Sequence, residues 1–277
     1  MRRGADVISD QQTLVLLAAA HLRMGGRRLR ALAAGDDAAG REFIKSDSAL
    51  RLAEARRDAR RDAALLEGLS AQLIALGDAA YPAGLRDLLA PPAFLCVRGE
   101  LPIGGVAIVG ARDASAAGCR FAYDLSRALG RAVVSGLARG IDAAAHRGAL
   151  AAGLPQIAYI GTGIAQTYPP EHAALADEII AGRGAVASER LPGDGVTRWA
   201  LTQRDRLQAA HAAAVVLVES DAGGGAMHTL RFARELGRPR FACDIGASGN
   251  RAALANGATP LTANIEAAVW AITARLG

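Results

Sequence analysis

This 277-residue sequence predicts an α/β fold, a parallel sheet with helices on both faces and a small helical region ahead of it. Three observations predict it. From Val106 onward, short apolar runs alternate with stretches of helical spacing. Each apolar run ends in glycine, serine or an acid. The chain is 51% hydrophobic but only 4% aromatic, so a sizeable core must be built from Ala, Val, Leu and Ile.

Residues 1–77 read as a helical domain of the SAM or helix-hairpin-helix kind, with helical spacing over Gln12–Leu22, Arg27–Ala34 and Ser48–Leu69. Asp47 or Ser48 is placed to cap the third helix. The mixed-sign run Arg56–Asp62 reads as a solvated helix face, and a helix-hairpin-helix contact turning at Gly25-Gly26 is the alternative. Tyr81-Pro82 through Pro91-Pro92 reads as a connector packed along the main domain, because proline holds itself and its predecessor out of helix. Residues 78–277 then form the sheet domain. Its expected strands are Val106–Gly110, Ala132–Gly136, Gln156–Gly161, Ala185–Ser188, Ala214–Ser220 and Arg240–Asp244. The expected helices are Ser115–Leu129, Asp142–Ala152, Pro170–Ala181, Thr202–Ala212, Gly225–Leu236 and Ser248–Asn256. Continuous apolar strands of this kind belong to a parallel sheet buried on both faces.

Net charge is +5, a modest excess that favours acidic partners. Lys45 is the only lysine, so a phosphate contact from a basic side chain would be an arginine fork. Cys96, Cys119 and Cys243 make no CxxC pair, which argues against a zinc site or a disulfide framework and for small buried side chains in a reducing compartment. With no apolar stretch of about 18 residues and a polar start, no membrane span or signal peptide is expected, and the chain reads as cytoplasmic.

Ligands of an open parallel sheet bind outside the carboxyl ends of its strands. There the sequence places Gly110-Ala111-Arg112 with Ser115 and Gly118, then Ser135-Gly136 with Arg139-Gly140, then Gly161 and Gly163, then Ser188-Glu189, then Gly223-Gly224-Gly225. Backbone amides and helix N-termini in such loops suit an anion. Arg112 and Arg139 stand near helix starts, a position unfavourable for the helix dipole unless something negative sits beside them. Gly110-Ala111-Arg112 fails the dinucleotide fingerprint, and Gly40 through Lys45-Ser46 lacks the second glycine of a phosphate loop. A polyanion crossing several loops is the better fit.

Among single residues, Asp142 reads as a helix-start stabiliser with His146 packed beside it, against an acid–base pair. Glu189 reads as ordering its loop. The histidines show no metal-ligand spacing. Trp199 reads as core, with base stacking as the alternative. Trp270 reads as core or dimer interface.

Ser135-Gly136-Leu137-Ala138-Arg139-Gly140-Ile141-Asp142 with His146 and Leu150 resembles the signature of the DprA/Smf DNA-processing family. Val109–Arg112 with Ser115 and Gly118, Gly161–Gly163 through Tyr168-Pro169, Ser188-Glu189, Gly249-Asn250 and the upstream Tyr81-Pro82 and Pro91-Pro92 are similar to further family segments, over residues 78–260. The resemblance implies a Rossmann-like homodimer that binds and protects single-stranded DNA and helps load RecA in natural transformation, with no catalytic residue, metal or cofactor. It places Gly110, Arg112, Ser115, Ser135, Gly136, Arg139 and Gly140 in the DNA groove. Arg204 and Arg206 match the family's arginine pair, and Gly118, Gly161, Gly163, Gly224 and Gly225 are expected beside it. Asp205 departs from the family's asparagine and is expected to weaken the phosphate contact or salt-bridge one arginine. Two other readings remain: a nucleotide-binding sensor, and a phosphoribohydrolase-like enzyme, whose motif would need a glutamate where Phe232 stands.

Overall fold

The computed structural model describes residues 10–36, 38 and 48–276. The phosphate-loop-like stretch ending at Lys45-Ser46, and Asp47, lie outside the described residues. Helices α1 (Asp10–His21), α2 (Gly26–Ala33) and α3 (Ala49–Gly68) come first. Ser48 caps α3, its Oγ accepting from the Arg51 amide at 3.3 Å. The charged run exposes its arginines but turns Asp62 inward, where it meets His21 at 2.8 Å.

A nine-stranded sheet runs in the order β1-β2-β6-β5-β4-β3-β7-β8-β9. The strands are β1 (Ala71–Ala75), β2 (Phe94–Gly99), β3 (Val106–Val109), β4 (Val133–Ser135), β5 (Gln156–Tyr159), β6 (Ala185–Ser188), β7 (Ala214–Leu217), β8 (Arg240–Cys243) and β9 (Thr259–Leu261). From β6 to β9 every pairing is parallel, while β1–β2 and β2–β6 are antiparallel. Alternate residues of each strand feed opposite faces. Val106 and Ile108 pack with Leu125, Ala145 and Ile272 on one face. Ala107 and Val109 pack with Tyr159, Leu217 and Leu230 on the other. The N-terminal helices bury Leu16, Leu17 and Leu66 against Phe94, Cys96 and Val186. Both faces are therefore covered, as the continuous apolar runs require. No helix among the described residues is long and apolar enough to cross a membrane.

Further helices are α4 (Ala116–Ala128), α5 (Ile141–Ala151), α6 (Ala173–Ala181), α7 (Arg198–Gln203), α8 (Asp205–His211), α9 (Ala226–Glu235), α10 (Ser248–Ala255) and α11 (Ile265–Thr273). Several differences from expectation have physical reasons. The six expected strands are real, but five end one to three residues early, because Gly110, Gly136, Gly161, Ser220 and Asp244 lie past the last ladder pair and turn into the rim. The helix expected over Thr202–Ala212 is two helices that break at Arg204, whose side chain turns into the interior. The helical expectation for residues 1–77 does not extend to Ala71–Ala75, a strand whose short apolar run reads equally well as helix. The proline connector packs through Tyr81, Leu85 and Leu88. It runs into β2, a strand hidden between Pro92 and Gly99.

Strand β3 is the pivot of the order, with β4 on one side and β7 on the other. The chain leaves β3 and β7 in opposite directions, which opens a crevice above their carboxyl ends. One buried side chain braces its far wall. Asn250 donates from Nδ2 to the Val218 carbonyl at 2.9 Å and the Cys243 carbonyl at 2.8 Å, and its Oδ1 accepts from the Ser220 amide at 2.9 Å. Replacing Asn250 with Ala strands three buried main-chain groups. The unfolding free energy in urea is expected to fall by about 3 kcal/mol, and a loss under about 1 kcal/mol would contradict the brace.

Candidate functional site

The crevice above β3 and β7 is a cleft of about 610 Å³, lined by Gly110, Arg112, Asp142, Arg198, Arg204, Asp205, Ser220, Gly224 and Gly225, among others. Two rim loops interlock beneath it. The Ile141 amide donates to the Ala111 carbonyl at 3.2 Å. Gly140 has φ +71°, and a Cβ there would stand 2.3 Å from the Ala111 carbonyl oxygen. Both the backbone angle and the closeness demand glycine.

The sequence-predicted residues divide into three groups. Gly110, Arg112, Arg204, Gly224 and Gly225 line the main cleft. Arg139 joins them through a small extension of about 40 Å³ that it shares with Arg112, Tyr168 and Arg204. Arg112 and Arg139 thus face one rim. Arg112 is exposed and makes no ion pair among the described residues. Arg139 is 61% exposed and meets an equally open Glu171 only at 3.8 Å, a contact worth little in water.

Ser115 and Gly118 line a second, largely apolar cavity of about 560 Å³ on the other side of Glu219. Ser115 Oγ accepts from the Gly118 amide at 3.0 Å, capping α4, and donates to Glu219 Oε2 at 2.6 Å. Its hydroxyl therefore serves the start of α4.

The remaining residues support the cleft without lining it. Ser135 is buried, with Oγ donating to the Ile108 carbonyl at 2.7 Å. A Cβ at Gly161 would stand 3.0 Å from Leu201, and Gly163 has no room for a Cβ beside the Leu191 and Pro192 carbonyls. Gly136 lies under Arg204: a Cβ there would fall 1.5 Å from Nη1. Arg206 points away from the cleft and pairs with Glu189. Burial raises the Glu189 carboxyl, and the Arg206 guanidinium opposes that shift.

Arg204 is 7% exposed. Its Nε lies 3.4 Å from Asp205 Oδ1, and Nη2 lies 3.7 Å from Asp142 Oδ2. The expected salt bridge from Asp205 is present. Asp142 stands in the first turn of α5 and also accepts from the Ala138 amide at 3.2 Å. His146 lies behind it, donating from Nε2 to the Gly136 carbonyl at 2.8 Å. Its Nδ1 meets the Gln156 amide at 2.8 Å. A neutral ring that donates from Nε2 can only accept at Nδ1. The amide therefore turns its NH2 to the ring, which also gives that otherwise partnerless NH2 a partner. Burial lowers the His146 pKa, consistent with a neutral ring. Asp142 and His146 spend their polar atoms on the loop and the arginine, not on each other.

An arginine that lines the cleft escaped the sequence reading. Arg198 is exposed at the start of α7, whose cap is Thr197 Oγ1 accepting from the Ala200 amide at 3.1 Å. The signal was the one that picked out Arg112 and Arg139, an arginine near a helix start, but α7 was not expected to begin there. Trp199, read as core, is 64% exposed, because α7 turns Ala200 inward instead. Trp270 is 73% exposed and does not join the core, where Ala268 and Ile272 occupy the inner face of α11. Among the described residues no cluster of His, Cys, Asp or Glu could hold a metal ion.

These features define a Rossmann-like protein with an arginine-rimmed cleft at its topological switch point. The profile of DNA recombination-mediator protein A matches residues 72–271, and the chain belongs to that family. It is 36% identical over 180 residues to Protein Smf of Synechocystis, covering 61% of this chain and 45% of that protein. It is 35% identical over 170 residues to the DNA processing protein DprA of Streptococcus pneumoniae, covering 60% of each. The chain thus spans less than two thirds of the length of these curated relatives. The X-ray structure of the S. pneumoniae protein superposes with a TM-score of 0.67 at 26% identity, covering 92% of this chain and 95% of that one. The Helicobacter pylori DNA processing protein A, described for its single-stranded DNA binding mode, gives a TM-score of 0.63 at 25% identity, covering 70% of this chain and 93% of that one.

The Arg206–Glu189 pair tests the division between support and lining. Arg206→Ala leaves a buried carboxylate alone and is expected to cost about 3 kcal/mol in urea denaturation. Arg206→Ala with Glu189→Gln is expected to recover much of that loss. A neutral Arg206→Ala variant would show that the pair does not brace the fold.

Proposed function

We propose that this chain binds single-stranded DNA by its phosphates along the cleft. The observation that carries the reading is the convergence of Arg112, Arg139 and Arg198, all exposed, on a rim of glycine-rich loops at the sheet's switch point. The H. pylori relative's single-strand binding supports the same reading. A flexible strand suits an open cleft better than a compact nucleotide does, and guanidinium forks match phosphate geometry. The function is holding rather than bond-making: the acid–base pair the sequence offered, Asp142 with His146, is occupied in holding the rim. Protection of the strand, its handover to RecA and pairing with a second copy of the chain belong to the same proposal and rest on family membership.

The energy comes mainly from charge, so affinity for an oligo-dT strand should fall with salt at a log–log slope of about −0.7 per phosphate neutralised, or about −2 for three arginines. Arg112→Ala or Arg139→Ala should each weaken binding by about 1.5–3 kcal/mol, roughly 10- to 100-fold in fluorescence anisotropy. Wild-type affinity in both variants, or tighter binding of a mononucleotide than of the strand, would contradict the assignment.

A further inference from the structure

The deepest point of the cleft is charged the wrong way for its proposed ligand. One guanidinium, Arg204, is flanked there by two carboxylates, Asp142 and Asp205. Arg204 cannot swing away: Gly136 lies beneath Nη1, which donates to the Tyr159 carbonyl at 3.4 Å. The two carboxylates are not equivalent. Asp142 is anchored by the Ala138 amide and lies in front of the neutral His146 ring. Asp205 accepts no hydrogen bond among the described residues and is held only by charge, Nε of Arg204 being 3.4 Å away. Groups facing Asp205 are Arg204 from the preceding turn, Asp142 from α5 and Arg112 from the first rim loop, with Asp113, Arg198, Asp221 and neutral Gln208 lining the same cleft.

We propose that Asp205 sets the strength of this cleft: ionised, it leaves the cluster of Arg204, Asp142 and Asp205 one charge negative, and entry of a polyanion is accompanied by uptake of up to one proton from solvent onto its carboxyl. The inference rests on the phosphate-binding reading and deepens it. Burial, opposed by Arg204, holds the Asp205 carboxyl at about 7 in the free protein, so it is half protonated near neutrality. Incoming phosphates repel the ionised form and raise it further. The bound state therefore carries more protons than the free state, and binding tightens as pH falls through 7. With the proton in place, Arg204 and Asp142 balance, and the net negative charge that opposed Arg112 at the cleft floor is gone.

Linkage also acts on the fold. The folded value, about 7, exceeds the ordinary 3.8, so folded chain holds this proton more tightly than unfolded chain. Its contribution to stability is full below about pH 4 and is lost as pH rises through 7. Asp205→Asn removes that loss.

The test measures oligo-dT affinity at pH 6, 7 and 8 and fixed ionic strength, for wild type and Asp205→Asn. Wild type is expected to weaken about fivefold from pH 6 to 8. The variant should bind about fivefold tighter than wild type at pH 8 and change less than about twofold over the range. A variant no tighter than wild type, or with the same pH slope, overturns the proposal. A second arm repeats the series with inorganic triphosphate. If neither protein binds the strand while triphosphate shows the expected pH and variant pattern, the strand reading fails and the role of Asp205 stands. Absence of that pattern with both ligands overturns the proposal. Urea unfolding without ligand supplies the last readout: Asp205→Asn should be the more stable protein at pH 8, with the advantage shrinking at pH 5. An advantage that does not shrink counts against it.

Discussion

The contact between two rim loops, made where the Ile141 amide meets the Ala111 carbonyl, is the constraint on which the cleft depends. Main chain can approach main chain this closely only if nothing projects between, so Gly140 is bound to its place twice over, by a left-handed backbone angle and by steric exclusion. Because the loops touch, the arginines that follow Ala111 and precede Gly140 are brought to one rim. Sheet order, loop contact and arginine placement form a single chain of cause.

Charge on this rim is sorted by depth. Outer arginines are open to water, where a weak neighbour such as Glu171 costs a ligand little to displace. Inner arginines are matched with carboxylates, as a buried guanidinium must be. Asp142 and Glu189 arrive from the loops after β4 and β6, each to meet an arginine of the α7–α8 turn or the helix after it. The cleft therefore has an exposed outer charge and a paired inner one.

Much of this was legible in the sequence. The six central strands are continuous apolar runs with turn residues behind them, a pattern that a sheet covered on both faces enforces, and the rim loops follow from where those runs stop. What escaped reading depends on contacts distant in sequence. Asp205 marks a local pairing for Arg204, but the other carboxylate partners, Asp142 of Arg204 and Glu189 of Arg206, are brought in by separate elements and leave no local trace. Strands β1 and β2 were missed because Ala71–Ala75 is too short to show a period and Phe94–Gly99 is framed by prolines and glycine like a loop. Arg198 was missed because the start of a six-residue helix leaves little trace.

The outermost strand, β9, ends the sheet with Pro260 opposite Ala242. The Leu261 carbonyl accepts from the Asp244 amide, so the polar groups of Leu261 face inward and those of Pro260, one residue earlier, face outward. A proline nitrogen has no hydrogen to offer. The margin of the sheet thus lacks a donor at the middle of its three residues, and a foreign strand that tried to lengthen the ladder there would find no continuous row of partners. The protein is protected on this flank against fibre-like stacking, and any molecule that settles beside β9 must be recognised by side chains rather than by backbone.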